Sequence, residues 1–185
     1  DMGREFFVSK WLTLRPHFGL RSTWIHQKFF VEYGHFYDQG SSIIDAEVEM
    51  KDNWWGLGIE GGLDTQWGLG GGWSIYGNIA TALEYGFHEL GEEQEIEHFP
   101  PDFVNVDSSY RITAPILDLQ LGLRWDHMFF NDRWHLGMQA GWEHHVYWSQ
   151  NQFMRCVEDF AIGTMVANQG DLTLQGWTFE VRFDF

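Results

Sequence analysis

Cysteine is almost missing from this chain: Cys156 is the only one among 185 residues. That count excludes an internal disulfide framework and a cysteine-based zinc ribbon. Basic residues are scarce as well. Eleven Lys and Arg stand against 27 Asp and Glu, a formal net charge of −16 with an isoelectric point near 4.7. Nucleic acid is therefore excluded as a partner, because phosphates demand a basic face. No apolar run reaches the roughly 18 residues a transmembrane helix requires. A charged n-region followed by an apolar h-region is also missing at the start, so no signal peptide is expected within these residues.

What the chain has instead is aromatic residues and glycine: 11 Trp, 16 Phe, 6 Tyr and 21 Gly beside only 4 Pro. This mixture favours strands with tight turns and close backbone approaches. The arrangement is strictly alternating. In the closing stretch WTFEVRFDF, Trp177, Phe179, Val181, Phe183 and Phe185 share one face, and Thr178, Glu180, Arg182 and Asp184 the other. A period of two is the signature of a strand, whose side chains point alternately to opposite sides.

The same pattern recurs through LTLRPHFGLRSTW, WWGLGIEGGLDTQW, WSIYGNIATALEYGF, LDLQLGLRWD and RWHLGMQAGWEHHVYWS, which makes six strands. Trp24, Trp55, Trp67, Trp73, Phe87, Trp125, Trp134 and Trp148 fall at or near the ends of the apolar faces. An outward apolar band between aromatic girdles, with a polar inner face, is the grammar of an outer-membrane barrel. The mean hydropathy of −0.33 does not contradict it, since barrel strands hide every second residue from an average. The fold class expected is all-β: an antiparallel transmembrane barrel, with residues 1–185 as one domain.

The connections are expected to alternate in length. GLGGG and a turn containing Asn131 and Asp132 are short, whereas polar stretches at about 34–52, 89–109 and 150–170 read as long loops. Short turns belong on the periplasmic side and long loops outside. The middle stretch carries Glu89, Glu92, Glu93, Glu95, Glu97, Asp102 and Asp107 with no Lys or Arg, as a solvated loop does. Residues 1–11 are read as a periplasmic connection with EFFVSKWL in a helical turn. YRITAPI is out of phase with the strand that follows it, with Pro115 marking a bulge or an edge irregularity.

The polar faces supply the candidate functional residues. Arg15, Arg21, Glu60, Asp64, Glu84, Asp118, Gln120, Arg124, Gln139, Glu143, Glu180 and Arg182 are read as lining a water-filled lumen, where mixed charges set a transverse field for passing solutes. Arg133, Asp126 and Asp184 share that face, and the excess of acids tilts selectivity toward cations. The competing reading is that these charges pair as struts in a narrow barrel.

A catalytic reading fails on geometry. Glu143, His145 and Ser149 point the same way, but at about 3.3 Å per residue His145 and Ser149 lie roughly 13 Å apart, too far for a nucleophile and its base. Alternation sends His144 and His145 to opposite faces, which separates them as joint metal ligands. No catalytic residue, metal or cofactor is expected, and Cys156 is read as an unpaired loop thiol, with an intermolecular disulfide as the alternative.

Three stretches, DMGREFFVSKWLTLRPHFGLR, LDLQLGLRWD and NQGDLTLQGWTFEVRFDF, resemble the major outer membrane protein-like, pore-forming family of Legionella and chlamydia-related bacteria. The resemblance implies a porin-like barrel longer than this chain, of which these residues are the C-terminal part. The expected function is an outer-membrane porin for passive diffusion of small hydrophilic solutes and ions. A surface barrel with a plugged lumen, structural or adhesive through acidic loops, is the alternative. The partners expected are outer-membrane lipid, the barrel-assembly machinery and small hydrophilic solutes, and the pattern is compatible with a homo-oligomer. Trp177, Phe179, Val181, Phe183 and Phe185, ending on an aromatic, look like the C-terminal signal that the assembly machinery reads.

Overall fold

The computed structural model describes residues 1–37, 43–96, 102–129, 134–156, 165–167 and 169–185, and every regular element in them is a strand. Six long strands follow one another: β3 (Leu12–Tyr37), β4 (Ile43–Gly70), β5 (Trp73–Ile96), β6 (Asp102–Phe129), β7 (Trp134–Asn151) and β10 (Gly170–Asp184). Each pairs antiparallel with the next in this order. Two short strands, β1 (Met2–Gly3) and β2 (Phe6–Phe7), lie on the outer edge of β3. A separate hairpin joins β8 (Met154–Cys156) to β9 (Met165–Ala167). Among the described residues the eight-stranded sheet is open: β10 pairs only with β7, and β3 beyond Phe18 only with β4.

The sheet is strongly curled. In a flat sheet β3 and β7 would be separated by about 19 Å, four steps of roughly 4.8 Å. Instead Arg21 on β3 donates a hydrogen bond from Nη2 to the Tyr147 hydroxyl on β7 at 3.3 Å. Glycine permits the curvature where strands pinch. A Cβ on Gly58 would lie 2.0 Å from the Leu83 carbonyl oxygen, and one on Gly86 2.1 Å from that of Trp55, both on the concave side between β4 and β5. The β4–β5 turn depends on glycine too, because Gly70, Gly71 and Gly72 all take positive φ (91°, 64° and 86°).

Across the belt parity is continuous, and it sorts the side chains. Leu20, Ile59, Leu83 and Pro115 form one register row on the convex face, and Trp24, Trp55, Phe87 and Arg111 form the second row above it. Trp55 stacks on Phe87 with ring centroids 6.3 Å apart, and the Arg111 guanidinium lies 4.4 Å from the Phe87 ring centre. Near the other end Trp73 pairs with Trp125, while Trp134, Phe183 and Phe185 cluster with centroids 5.1–6.5 Å apart. From Trp55 to Trp67 the apolar stretch runs twelve residues, about 40 Å along a strand and about 28–30 Å in height at a tilt of 40–45°. Its members are exposed, Leu20 at 78%, Ile59 at 68% and Trp177 at 86% among them. A contiguous exposed apolar belt of this size, with the backbones of the inner strands paired on both sides across it, suits hydrocarbon rather than water.

Four expectations need correction. In the stretches at 34–52 and 89–109 the described residues are strand rather than loop: Glu32 pairs with Glu47, Phe36 with Ile44, Glu93 with Asn105 and Ile96 with Asp102, so β3 to β6 continue far above the upper aromatic row. There the outer face becomes watery. Glu49 receives hydrogen bonds from Lys28 and Lys51, each at 2.8 Å, which hold its carboxyl below the usual carboxylate range. In the third stretch, 150–170, β7 and β10 extend to Asn151 and Gly170 and the β8–β9 hairpin lies between them.

Likewise EFFVSKWL forms no helical turn, because Phe6 and Phe7 satisfy their backbones against Leu14 and Thr13. YRITAPI is in phase, with no register shift in the β5–β6 ladder. What inverts is the environment: above Pro115 the outer face meets water and the inner face becomes a small core. No bulge forms at Pro115, which pairs in register with Leu83, but the β6–β7 ladder ends beside it at Ile116–Tyr147, where a residue without an N–H is tolerated. Asn131, Asp132 and Arg133 lie outside the described residues.

Two outcomes check this architecture. Leu121→Arg places a charge on the convex belt and should cost about 2–4 kcal/mol in a liposome refolding titration, whereas Gln120→Arg on the concave side should cost far less. Equal losses would contradict the assigned faces. Gly58→Ala should destabilise by about 1–3 kcal/mol through overpacking, while Gly176→Ala, with nothing within 4 Å of the added methyl, should refold like the parent.

Candidate functional site

Because parity never slips between neighbouring strands in the belt, polar residues far apart in sequence line up in rows across the concave face. The central row is Arg15, Asp64, Asn78, Gln120 and Glu143, each registered with the next. Hydrogen bonds run along it: Arg15 Nη1 donates to Asp64 at 3.0 Å, Asn78 to Gln120 at 2.7 Å, and Gln120 to Glu143 at 2.6 Å. Below this row Tyr76 lies over Gly122 and Gly141, which leave room for its ring. Lower still, Gln139 donates to Glu180 at 2.7 Å. Arg124 grips Asp126, and His135 bridges Asp126 and Asp184 at 3.0 Å each, with Arg182 also on Asp184.

Above the central row the charges converge on Arg21. Its guanidinium binds Asp118 directly, reaches Glu60 at 3.2 Å and lies 3.6 Å from Glu84. Glu84 is fully buried and also accepts a hydrogen bond from Thr23 at 2.7 Å. Asp118 is shared with His145 at 2.6 Å, and the other ring nitrogen of His145 lies 3.6 Å from Glu143. One arginine thus meets three carboxylates from β4, β5 and β6. Both signs are present, and the acids outnumber the base.

All twelve residues named from the sequence as lining therefore lie on one curved face: Arg15, Arg21, Glu60, Asp64, Glu84, Asp118, Gln120, Arg124, Gln139, Glu143, Glu180 and Arg182. Most are half-buried rather than enclosed. Asp126 and Asp184 join them. A polar cleft of about 240 Å³ opens between Arg15, Asp64, Gln66, Asn78, Arg124 and Gln139. A larger hollow of about 480 Å³ lies around Phe18, Leu20, Ile59 and Leu83 and belongs to the apolar belt. His144 and His145 are on opposite faces, with His144 stacked on Trp142.

Sequence reading missed the upper storey of this face. Trp54, His88 and Tyr110 form one row and Gln27 and Asp52 the next. The His88 ring sits 2.7 Å from Asp52, both without solvent exposure. Burial, and then Asp52, push the Tyr110 phenol up to about 12, so it remains a hydrogen-bond donor. The signal was present in EVEMKDNW, whose Val48, Met50, Asp52 and Trp54 alternate with Glu47, Glu49, Lys51 and Asn53; its polarity read as loop. Cys156 lies in β8.

On the convex side, Trp177, Phe179, Val181, Phe183 and Phe185 alternate on the free-edge strand β10 and just past its end, all exposed. An edge strand of this kind presents unpaired backbone groups together with a row of aromatics.

No curated protein matches the chain. A family model described as Legionella pneumophila major outer membrane protein precursor matches residues 1–185, and with the antiparallel sheet, its aromatic-bounded belt and its polar concave face already established, the chain belongs to that family of outer-membrane proteins.

Proposed function

We propose that this outer-membrane protein is a porin, conducting small hydrophilic solutes and ions passively along its concave face. One observation carries the reading: polar and charged side chains of both signs run in registered rows across six strands on the face opposite the apolar belt. A wall that only had to pack would bury apolar side chains there. Hydrated charges at a lumen surface set a field across it and sort ions by sign, and the three acids around Arg21 favour cations. The alternative of a plugged surface barrel draws on the segment after Ser149, which turns over the concave face. Planar-bilayer recording of the full-length protein separates the two, since folded protein without current above background overturns the porin.

Within this reading Arg21 tempers cation preference. Removing a unit charge about 4 Å from the ion path in water changes the local energy by about 1 kcal/mol, roughly fivefold in a permeability ratio at most. Arg21→Gln should therefore shift the reversal potential in a salt gradient toward the cation limit; an unchanged potential would remove Arg21 from the conducting path.

The C-terminal strand is proposed to direct assembly. Phe185 lies past the end of β10, with its ring 6.0 Å from Trp134, and is 93% exposed. Its loss should cost the finished sheet no more than about 1–3 kcal/mol, yet deletion should sharply lower outer-membrane abundance in cells. Normal abundance, with refolding into liposomes also normal, would reduce WTFEVRFDF to an ordinary strand.

A further inference from the structure

Two residues after the β6–β7 ladder ends at Ile116–Tyr147, the chain bends inward at an irregularity in the β7–β10 ladder, with Asn151 still paired to Gly170. Ser149 takes φ 55°, the left-handed region that a non-glycine residue rarely adopts. The turn is built to hold that conformation. The Ser149 N–H donates to Asp171 Oδ1 at 2.9 Å, and its carbonyl accepts from Gln152 Nε2 at 2.7 Å.

The residues that follow lie across the concave face. The Gln150 carbonyl accepts from Gln27 of β3 at 3.4 Å. The Gln152 N–H donates to Asp52 Oδ2 of β4 at 3.1 Å, and its side-chain oxygen accepts from the Tyr110 hydroxyl of β6 at 2.8 Å. The Phe153 ring lies 6.2 Å from Phe29. A segment leaving β7 therefore reaches β3, at the far side of the curl. Gln150 and Gln152 are both buried beneath it, at 0% and 3% exposure.

Asp52 is the strongest of these anchors. It is 1% exposed, and both its oxygens are used, one by the His88 ring and one by the Gln152 N–H. Hydrogen bonds to an ionised carboxylate are roughly twice as strong as neutral ones, and the Gln27 contact is long. Removing the carboxylate would leave the Gln152 N–H and the His88 ring nitrogen unpaired in a buried place.

We propose that Ser149–Phe153 is the constriction of the pore, and that Asp52 is the residue that fixes its position and so sets the largest solute that passes. The inference rests on the porin reading. A peptide lying on the lumen wall removes its own thickness from the opening, about 5 Å of backbone and about 10 Å with side chains. Size is then selected at this ledge, whereas charge is sorted in the rows around Arg21 beneath it.

The test uses full-length protein in planar bilayers and in liposomes swollen with sugars of increasing size. Parent protein without current overturns the porin reading itself. With a conducting parent, Asp52→Ala should raise conductance about twofold, as a ledge roughly 10 Å thick is freed, and should admit larger sugars. Asp52→Asn, which keeps the shape, should fall between them and stands in if Asp52→Ala does not insert. An unchanged conductance and size limit in these variants overturns the role of Asp52. The partly exposed Asn151 supplies a second readout. In a Cys156→Ser background, Asn151→Cys should conduct normally and then lose half its current or more when a bulky thiol reagent is added. Current untouched by the reagent, with labelling verified by mass, overturns the constriction.

Discussion

Everything in this molecule hangs on an uninterrupted antiparallel ladder. In hydrocarbon an unpaired backbone N–H or C=O costs several kcal/mol, so strands crossing the belt have no room for a slip. The register obeys this constraint: from Trp24–Trp55 through Trp73–Trp125 to Trp142–Trp177, neighbouring strands in the belt pair residue for residue. The bulges lie away from the belt centre, near Tyr33, Gly68 and Gly170. Because a one-residue slip would send every side chain to the wrong face, the same ladder that satisfies the backbone also gathers Arg15, Asp64, Asn78, Gln120 and Glu143 into a row. Backbone satisfaction and the polar wall have a single cause.

Curvature is the second consequence. A polar row on a flat sheet would be a surface, but the pinch at Gly58 and Gly86 brings Arg21 to Asp118 and Tyr147 across several strands. The long arginine side chain suits that span, and its planar fork can address several acceptors at once. The cluster is a strut that stays partly open: Arg21 ties β3 to β6 and β7, while Glu60 and Asp118 keep about a fifth of their side-chain surface exposed.

The belt was legible in the sequence because its alternation is amphipathic in one direction only. Leu117, Leu119, Leu121, Leu123 and Trp125 against Asp118, Gln120, Gly122 and Arg124 admits a single phase, which puts Asp118, Gln120 and Arg124 on the concave face, and the neighbouring strands sort in the same way. The upper storey was harder to see for a physical reason. There water lies on the convex side, so Glu47, Glu49, Glu89 and Glu93 occupy positions that lower down carry Leu and Trp, and the acidic total resembles a loop. Alternation survives in both storeys; only its sign changes, at Pro115 on β6 and at Trp54–Trp55 on β4, where adjacent tryptophans point to opposite faces. The inward turn at Ser149 was invisible, since nothing local in WSQNQF marks a left-handed serine and its anchors come from four other strands.

The sign change also explains why a buried Asp52 sits where it does. Within the belt, carboxylates on the concave face keep some exposure, as Glu60 and Asp118 do with about a fifth of their side-chain surface. Above the belt the same face is covered by the segment from β7, so any carboxylate there is stripped of water and must find partners or lose its charge. Asp52 has both oxygens engaged, by His88 and by the Gln152 backbone, and the rings of Trp54 and Tyr110 lie against His88 with centroids 4.6 and 5.5 Å away. A buried carboxylate with two directional partners is weak evidence for stability but good evidence for position. That distinction favours a segment held at a defined place over one merely packed against the wall.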